Sequence, residues 1–139
     1  MKSSGTTASA ELGLRLVVPD RTTVPLTAEL HYTSDDPYAI RMAFHVGSDE
    51  PVEWIFAREL LTVGIVRRVG DGDVQVWPSK TDGKRILGIT LSSPFGHAEF
   101  EAPIADLADF LHRTYEIVPA GCESDFVDLE AEIEQLLWS

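Results

Sequence analysis

The chain has one cysteine, Cys122, in 139 residues, so no disulfide can form within it, and a reducing compartment suits it best. Basic residues are scarce. Eleven Lys and Arg stand against 23 Asp and Glu, a formal net charge of −12. From Glu116 onward there are seven acidic residues (Glu116, Glu123, Asp125, Asp128, Glu130, Glu132, Glu134) and no basic one, which leaves −5 for the rest. Phosphate backbones attract Lys and Arg through counterion release, so this balance argues against general nucleic-acid binding and against an anionic membrane surface. Long apolar runs are missing too. Arg15, Arg58 and Glu59 break the longest ones well short of the roughly 20 residues a membrane span needs. Residues 1–10 hold one lysine and no apolar core, unlike a signal peptide. The expectation is a cytoplasmic protein.

Catalytic constellations are equally thin. Ser92-Ser93-Pro94-Phe95-Gly96 lacks the Gly-x-Ser-x-Gly elbow that exposes a nucleophilic serine on a strained turn. Cys122 is followed by Glu123, whose charge disfavours a thiolate. The histidines His31, His45, His97 and His112 are scattered without zinc-ligand spacing. Asp71, Asp73 and Asp82 are too few and too close for a calcium loop, and Gly70-x-Gly72 lies between strands instead of before a helix. The reading is a protein that is not an enzyme, with no catalytic, cofactor or metal residues.

What is present is an ordinary globular composition, with 44% apolar residues and enough chain to bury roughly 70% of its unfolded surface. Residues 1–9 (Ser, Thr, Gly, Ala) read as a disordered tail, and residues 10–139 as a single domain. Alternating apolar positions predict strands over Ala10–Val18, Leu26–Thr33 and Ala39–Val46, joined by turn chemistry. From Val52 to Val63 the spacing predicts a helix, with Trp54, Phe56, Ala57, Leu60, Leu61 and Val63 on one arc and Arg58, Glu59 and Thr62 opposite. Gly64 is placed as its left-handed C-terminal cap. Strands follow at Ile65–Val69 and Val74–Trp77 around Gly70-Asp71-Gly72-Asp73, then at Arg85–Leu91 after the Asp82-Gly83 turn, then at His97–Ala102. Pro103 suits the first position of a second helix, whose arc Ile104, Leu107, Ala108, Phe110, Leu111, Tyr115 is apolar.

A third helix is expected from Asp125, an N-cap. Its arc Phe126, Leu129, Ile133, Leu136, Leu137 docks on the body, while Val127, Ala131 and Trp138 form a second arc, either a partner surface or a frayed end. Ile55 projects on the polar side of the first helix, either a stray exposed isoleucine or a contact point. The fold class is α+β: antiparallel meander-helix units written twice, about seven strands in two sheets plus three helices.

Particular residues carry a family resemblance. Glu53-Trp54, Phe56-Ala57-Arg58-Glu59-Leu60-Leu61, Gly70-Asp71-Gly72-Asp73-Val74 and Val76-Trp77-Pro78 resemble the SsgA-like proteins of sporulating actinomycetes. So do Asp36-Pro37-Tyr38-Ala39 with Phe44-His45 upstream, and Leu91-Ser92-Ser93-Pro94 with Gly96 downstream. The match runs from about Leu12 to Leu137, closest to the SsgB type. It implies a whirly-like subunit that forms a homotrimer through sheets continued between chains. It also implies a non-enzymatic regulator located at division septa, which recruits the tubulin-like protein FtsZ with an SsgA-type paralogue. The alternative is a whirly-like single-stranded nucleic-acid-binding protein, for which Arg41, Arg67, Arg68, Lys80, Lys84 and Arg85 would have to gather into one patch. Four residues stand as candidate partner contacts: Ile55, Val127, Ala131 and Trp138.

Overall fold

The structure, a computed structural model, describes residues 5–45, 50–94 and 96–127. Strict alternation of apolar residues produces four antiparallel strands first: β1 (Thr7–Val17), β2 (Thr23–Thr33), β3 (Asp36–His45) and β4 (Val52–Ala57). A short helix, α1 (Arg58–Gly64), closes the unit. The second unit repeats the order with β5 (Val69–Asp71), β6 (Val74–Thr81), β7 (Lys84–Ser93) and β8 (Gly96–Pro103), followed by α2 (Ile104–Ile117). The expected meander plus helix, written twice, is what the chain builds. β1 starts inside the segment expected as a tail, and Ala8 lies in the core.

The two sheets expected from the sequence are one. Arg15, Leu16 and Val17 of β1 pair with Glu101, Phe100 and Glu99 of β8, which joins the meanders into an eight-stranded antiparallel sheet in the order β4-β3-β2-β1-β8-β7-β6-β5. This sheet is strongly curled. Phe44 on β3 and Phe100 on β8 stack with centroids 4.5 Å apart, although two strands lie between theirs. In a flat sheet, strands that far apart in the order would be separated by about 14 Å. The concave face holds Leu12, Leu14, Leu30, Ile40, Met42, Leu87 and Ile89, and α2 fills it with Ile104, Leu107, Phe110 and Leu111, the apolar arc expected of it.

Three further expectations are corrected. The helix predicted from Val52 begins only at Arg58, because Val52, Trp54 and Phe56 also fit a period of two. Pairing with β3, from Phe44↔Val52 to Ala39↔Ala57, decides in favour of strand. Gly64 lies inside α1 and has no left-handed φ. An added Cβ there would come within 2.5 Å of Val76 Cγ2, so close packing on β6 and not a cap calls for glycine. Of the three helices, two α-helices stand among the described residues. Asp125 falls in a 3-10 turn (Glu123–Phe126) and Val127 is extended, while the rest of the expected third helix lies outside the described residues. The Asp82-Gly83 turn is as read, with φ of 52° and 77°, the pair of left-handed residues that a two-residue hairpin of this kind requires.

Candidate interaction surface

β4 and β5 are the outer strands of the sheet, and they differ as edges. β5 has three residues, too short to template much pairing. β4 has six, with a free row of backbone donors and acceptors facing away from β3 among the described residues. Its side chains alternate. Val52, Trp54 and Phe56 face the concave side, and Glu53, Ile55 and Ala57 face the convex one. Val52 is 51% exposed and Ile55 56%, so apolar surface flanks the open edge on both faces. Glu53 adds a charge, 3.9 Å from Arg41 on β3, which discourages indiscriminate strand addition. Beside Val52 and Trp54 an apolar trough of about 300 Å³ opens on the concave face, floored by Phe44, Phe100, Leu16 and Leu91. α2 and α1 fill the other end of the curl and leave this end open.

The largest departure from the sequence reading is Arg58. Placed by helix geometry on a polar face, it is 1% exposed and is among the largest fully buried side chains. The strand-to-helix switch turns it inward, under the end of α2. Nη1 donates to Thr114 O (3.1 Å) and Val118 O (2.8 Å), and Nη2 donates to Glu123 Oε2 (2.9 Å). The guanidinium carbon lies 4.0 Å from the Tyr115 ring centroid and 5.1 Å from that of Tyr32. The carbonyls of Thr114, which also accepts from Val118 N (2.9 Å), and of the C-cap residue Val118, at the end of a helix without basic residues in its own last turn, thus receive a cation from elsewhere in the chain. Arg58 Nε has no hydrogen-bond partner among the described residues.

Around this cation the polar groups are ordered. Thr62 Oγ1 donates to Arg58 O (3.1 Å), which leaves the Tyr115 hydroxyl as donor in the 2.7 Å Thr62–Tyr115 bond. Tyr32 OH donates to Pro37 O (2.9 Å), and burial pushes this phenol up to about 12, against the pull of the Arg58 charge. Glu123 is held below the usual carboxylate range, first by its own backbone N–H and then by Arg58. The role of this cluster is to fix α1, α2 and the segment after α2 as one body.

Of the residues singled out in the sequence, Ile55 is exposed as expected, but on an edge strand instead of a helix. Val127 ends the described chain beside the 3-10 turn, and Ala131 and Trp138 lie outside the described residues. Of the six basic residues Arg41 lies apart on β3, beside Glu53, whereas Lys80 and Arg85 are cross-strand neighbours on β6 and β7, Lys84 adjoins Arg85, which donates to Ile65 O (3.3 Å), and Arg68 stacks 4.8 Å over Trp77. Among the described residues no group of three His, Cys, Asp or Glu side chains is placed to hold a metal ion, and no helix is long and apolar enough to cross a membrane.

Comparison with known proteins agrees with the residues that first suggested a family. Residues 26–123 match the family described as Streptomyces sporulation and cell division protein, SsgA. A protein of Thermobifida fusca called sporulation-specific cell division protein SsgB is 64% identical over 99% of both chains. One of the same name from Streptomyces coelicolor is 48% identical, covering 95% of this chain and 96% of its own. A crystal structure of an SsgA-like sporulation-specific cell division protein from Thermobifida fusca superposes with a TM-score of 0.87, covering 97% of this chain and 98% of that one. A complement regulator acquiring outer surface protein of Borrelia burgdorferi, 10% identical, shares the fold alone, with a TM-score of 0.55 over 77% of this chain and 98% of that one.

Proposed function

We propose, from the premise that this chain belongs to the SsgA family of sporulation and cell division proteins and is of its SsgB type, that it is a non-enzymatic adaptor. In this reading the chain, as a single domain, recruits FtsZ to future septum sites during sporulation, alongside an SsgA-type paralogue, and is itself found at those septa. The observation that carries it is the open edge of β4, flanked by exposed Val52 and Ile55, in a protein whose buried polar cluster serves architecture and not chemistry. An unpaired six-residue strand beside apolar surface is a template for another chain. A whirly-like homotrimer made by strand addition across subunits would cover it, and closed symmetry would limit its growth. Val127, Ala131 and Trp138 are a second contact surface in this reading, available to FtsZ or the paralogue once β4 is taken.

Co-sedimentation with FtsZ polymerised by GTP tests the proposal, with fluorescent single-stranded DNA in a parallel tube at about 50 mM salt, low enough not to mask phosphate contacts. The expected result is pelleting with FtsZ polymer and no DNA binding. DNA binding with FtsZ ignored would overturn the reading in favour of the whirly-like alternative. Light scattering of the purified protein should give three times the 15.3 kDa chain mass, and a monomer would remove the trimer.

A further inference from the structure

On the convex face, β1 and β8 pair only from Arg15 to Val17 and then splay apart. A cleft of about 820 Å³ opens there, between the β1–β2 hairpin and the β6–β7 hairpin. Its charged walls are unlike the rest of the molecule. Arg15, Arg21, Lys84 and Arg85 line it against two carboxylates, Asp82 and Glu101, in a chain whose overall charge is −12. Arg15 donates to Thr23 Oγ1 (3.1 Å), Arg21 pairs with Glu99 (3.3 Å) and Arg85 donates to Ile65 O (3.3 Å), each through one terminal guanidinium nitrogen, which holds the heads in place and leaves their other nitrogens to face the cleft. Arg21 occupies a left-handed position (φ 69°) in its turn, where glycine would be free of strain. Between the charges the aliphatic lining comes from Ile86, with Pro25 and Pro103.

We infer that this cleft is a docking site for a short acidic, leucine-bearing segment of a partner protein. Charge complementarity selects the acidic side chains, and the aliphatic lining takes the leucines between them. The cleft has the volume of a site for a drug-sized ligand, which suits a few extended residues and not the face of a folded domain. Nucleic acid fits less well. No aromatic side chain lines the cleft to stack on bases. This goes beyond the adaptor reading and can fail separately, since it concerns a surface away from β4 and a probe other than FtsZ.

Fluorescence anisotropy of the full chain with a fluorescein-labelled peptide of four Asp-Leu-Glu repeats is the test, with a Lys-Leu-Lys peptide and an oligo-dT strand as comparisons. The acidic peptide should bind alone, with affinity falling as salt rises from about 50 to about 300 mM. Lys84→Glu should weaken it by about tenfold, and the milder Arg15→Gln by a few fold. Arg41→Glu makes the same net charge change on the other half of the sheet and should leave binding within about twofold. Urea midpoints of all three variants show whether each is folded. Failure of the acidic peptide to bind the native chain, an equal loss with Arg41→Glu, or preference for oligo-dT would each overturn the assignment.

Discussion

Arg58→Ala is the most demanding perturbation the structure offers. The substitution deletes three charged hydrogen bonds, of which two are to the buried carbonyls Thr114 O and Val118 O and the third to Glu123. Each is worth about 1.5–3 kcal/mol taken alone, and the stacking on Tyr115 adds up to about 2. These values do not sum, because the carbonyls and Glu123 relax together once the cation is gone. Glu123 keeps 20% of its side chain exposed and can turn to water, and Thr114 O keeps its bond from Val118 N (2.9 Å), whereas Val118 O is stranded beneath the missing side chain. Removing one member of a buried pair typically costs about 3–5 kcal/mol, and the lower half applies here because two of the three acceptors keep a partner. We therefore expect a loss of about 3–4 kcal/mol, a large fraction of the 5–15 typical for a domain. With a urea m-value of about 2 kcal/mol/M, the midpoint should fall by about 1.5–2 M at an unchanged slope. Glu123→Ala should cost only about 1 kcal/mol, and the double variant less than the sum of the two. A midpoint shift below about 0.5 M for Arg58→Ala would refute the view that this cation joins α1 to the end of α2.

Three further outcomes follow from other parts of the molecule. Because Glu123 titrates below its ordinary 4.5 when folded, its contribution is fully present above pH 4.5 and is lost as pH falls through the lower folded value; urea midpoints should drop over that acid range in the native chain and drop less in Glu123→Gln, and equal slopes would discount the Arg58–Glu123 pair. Gly88→Ala should destabilise by about 1–3 kcal/mol, since the added methyl runs into the Trp77 indole, which Arg68 covers; a midpoint within error of native would mean the ring moves freely. Ile55→Lys should leave the folded chain within about 0.5 kcal/mol but lower the mass seen by light scattering, and an unchanged oligomer would take Ile55 out of any interface.

Much of the fold was legible because its signals are local. Alternation in β1, β2, β3 and β8, the Asp82-Gly83 turn and the apolar arc of α2 each sit within a dozen residues, and each reads correctly without knowledge of the rest. The failures begin where two periods share residues. In 52–61, Val52, Trp54 and Phe56 satisfy a strand while Trp54, Ala57, Leu60 and Leu61 satisfy a helix. Only the register against β3, set by residues on the far side of a loop, from Phe44↔Val52 to Ala39↔Ala57, chooses between them. The single sheet was hidden for a similar reason. Three residue pairs between Arg15–Val17 and Glu99–Glu101 unite the halves, and nothing in either strand announces its distant partner.

Arg58 was illegible for a stronger reason: its burial is decided by groups 56 to 65 positions away, namely Thr114 O, Val118 O and Glu123. A helical wheel drawn from Val52 also assigned it the wrong face, since the wheel starts six residues too early. One signal was available. α2 has no basic residue in its last turn, and Glu123 follows it within six positions of Ile117, so a cation from outside that segment was needed to meet both. Once Arg58 fills that need, the surface reading changes as well. The charge that seemed to make the first helix a polar, solvent-facing element is internal, and the exposed apolar residues of this region, Val52 and Ile55, belong to a strand edge. A strand edge recruits partners through its backbone, so contact there depends less on the identity of any one side chain than a helix face would. That is why Ile55→Lys is expected to weaken assembly and not to abolish it.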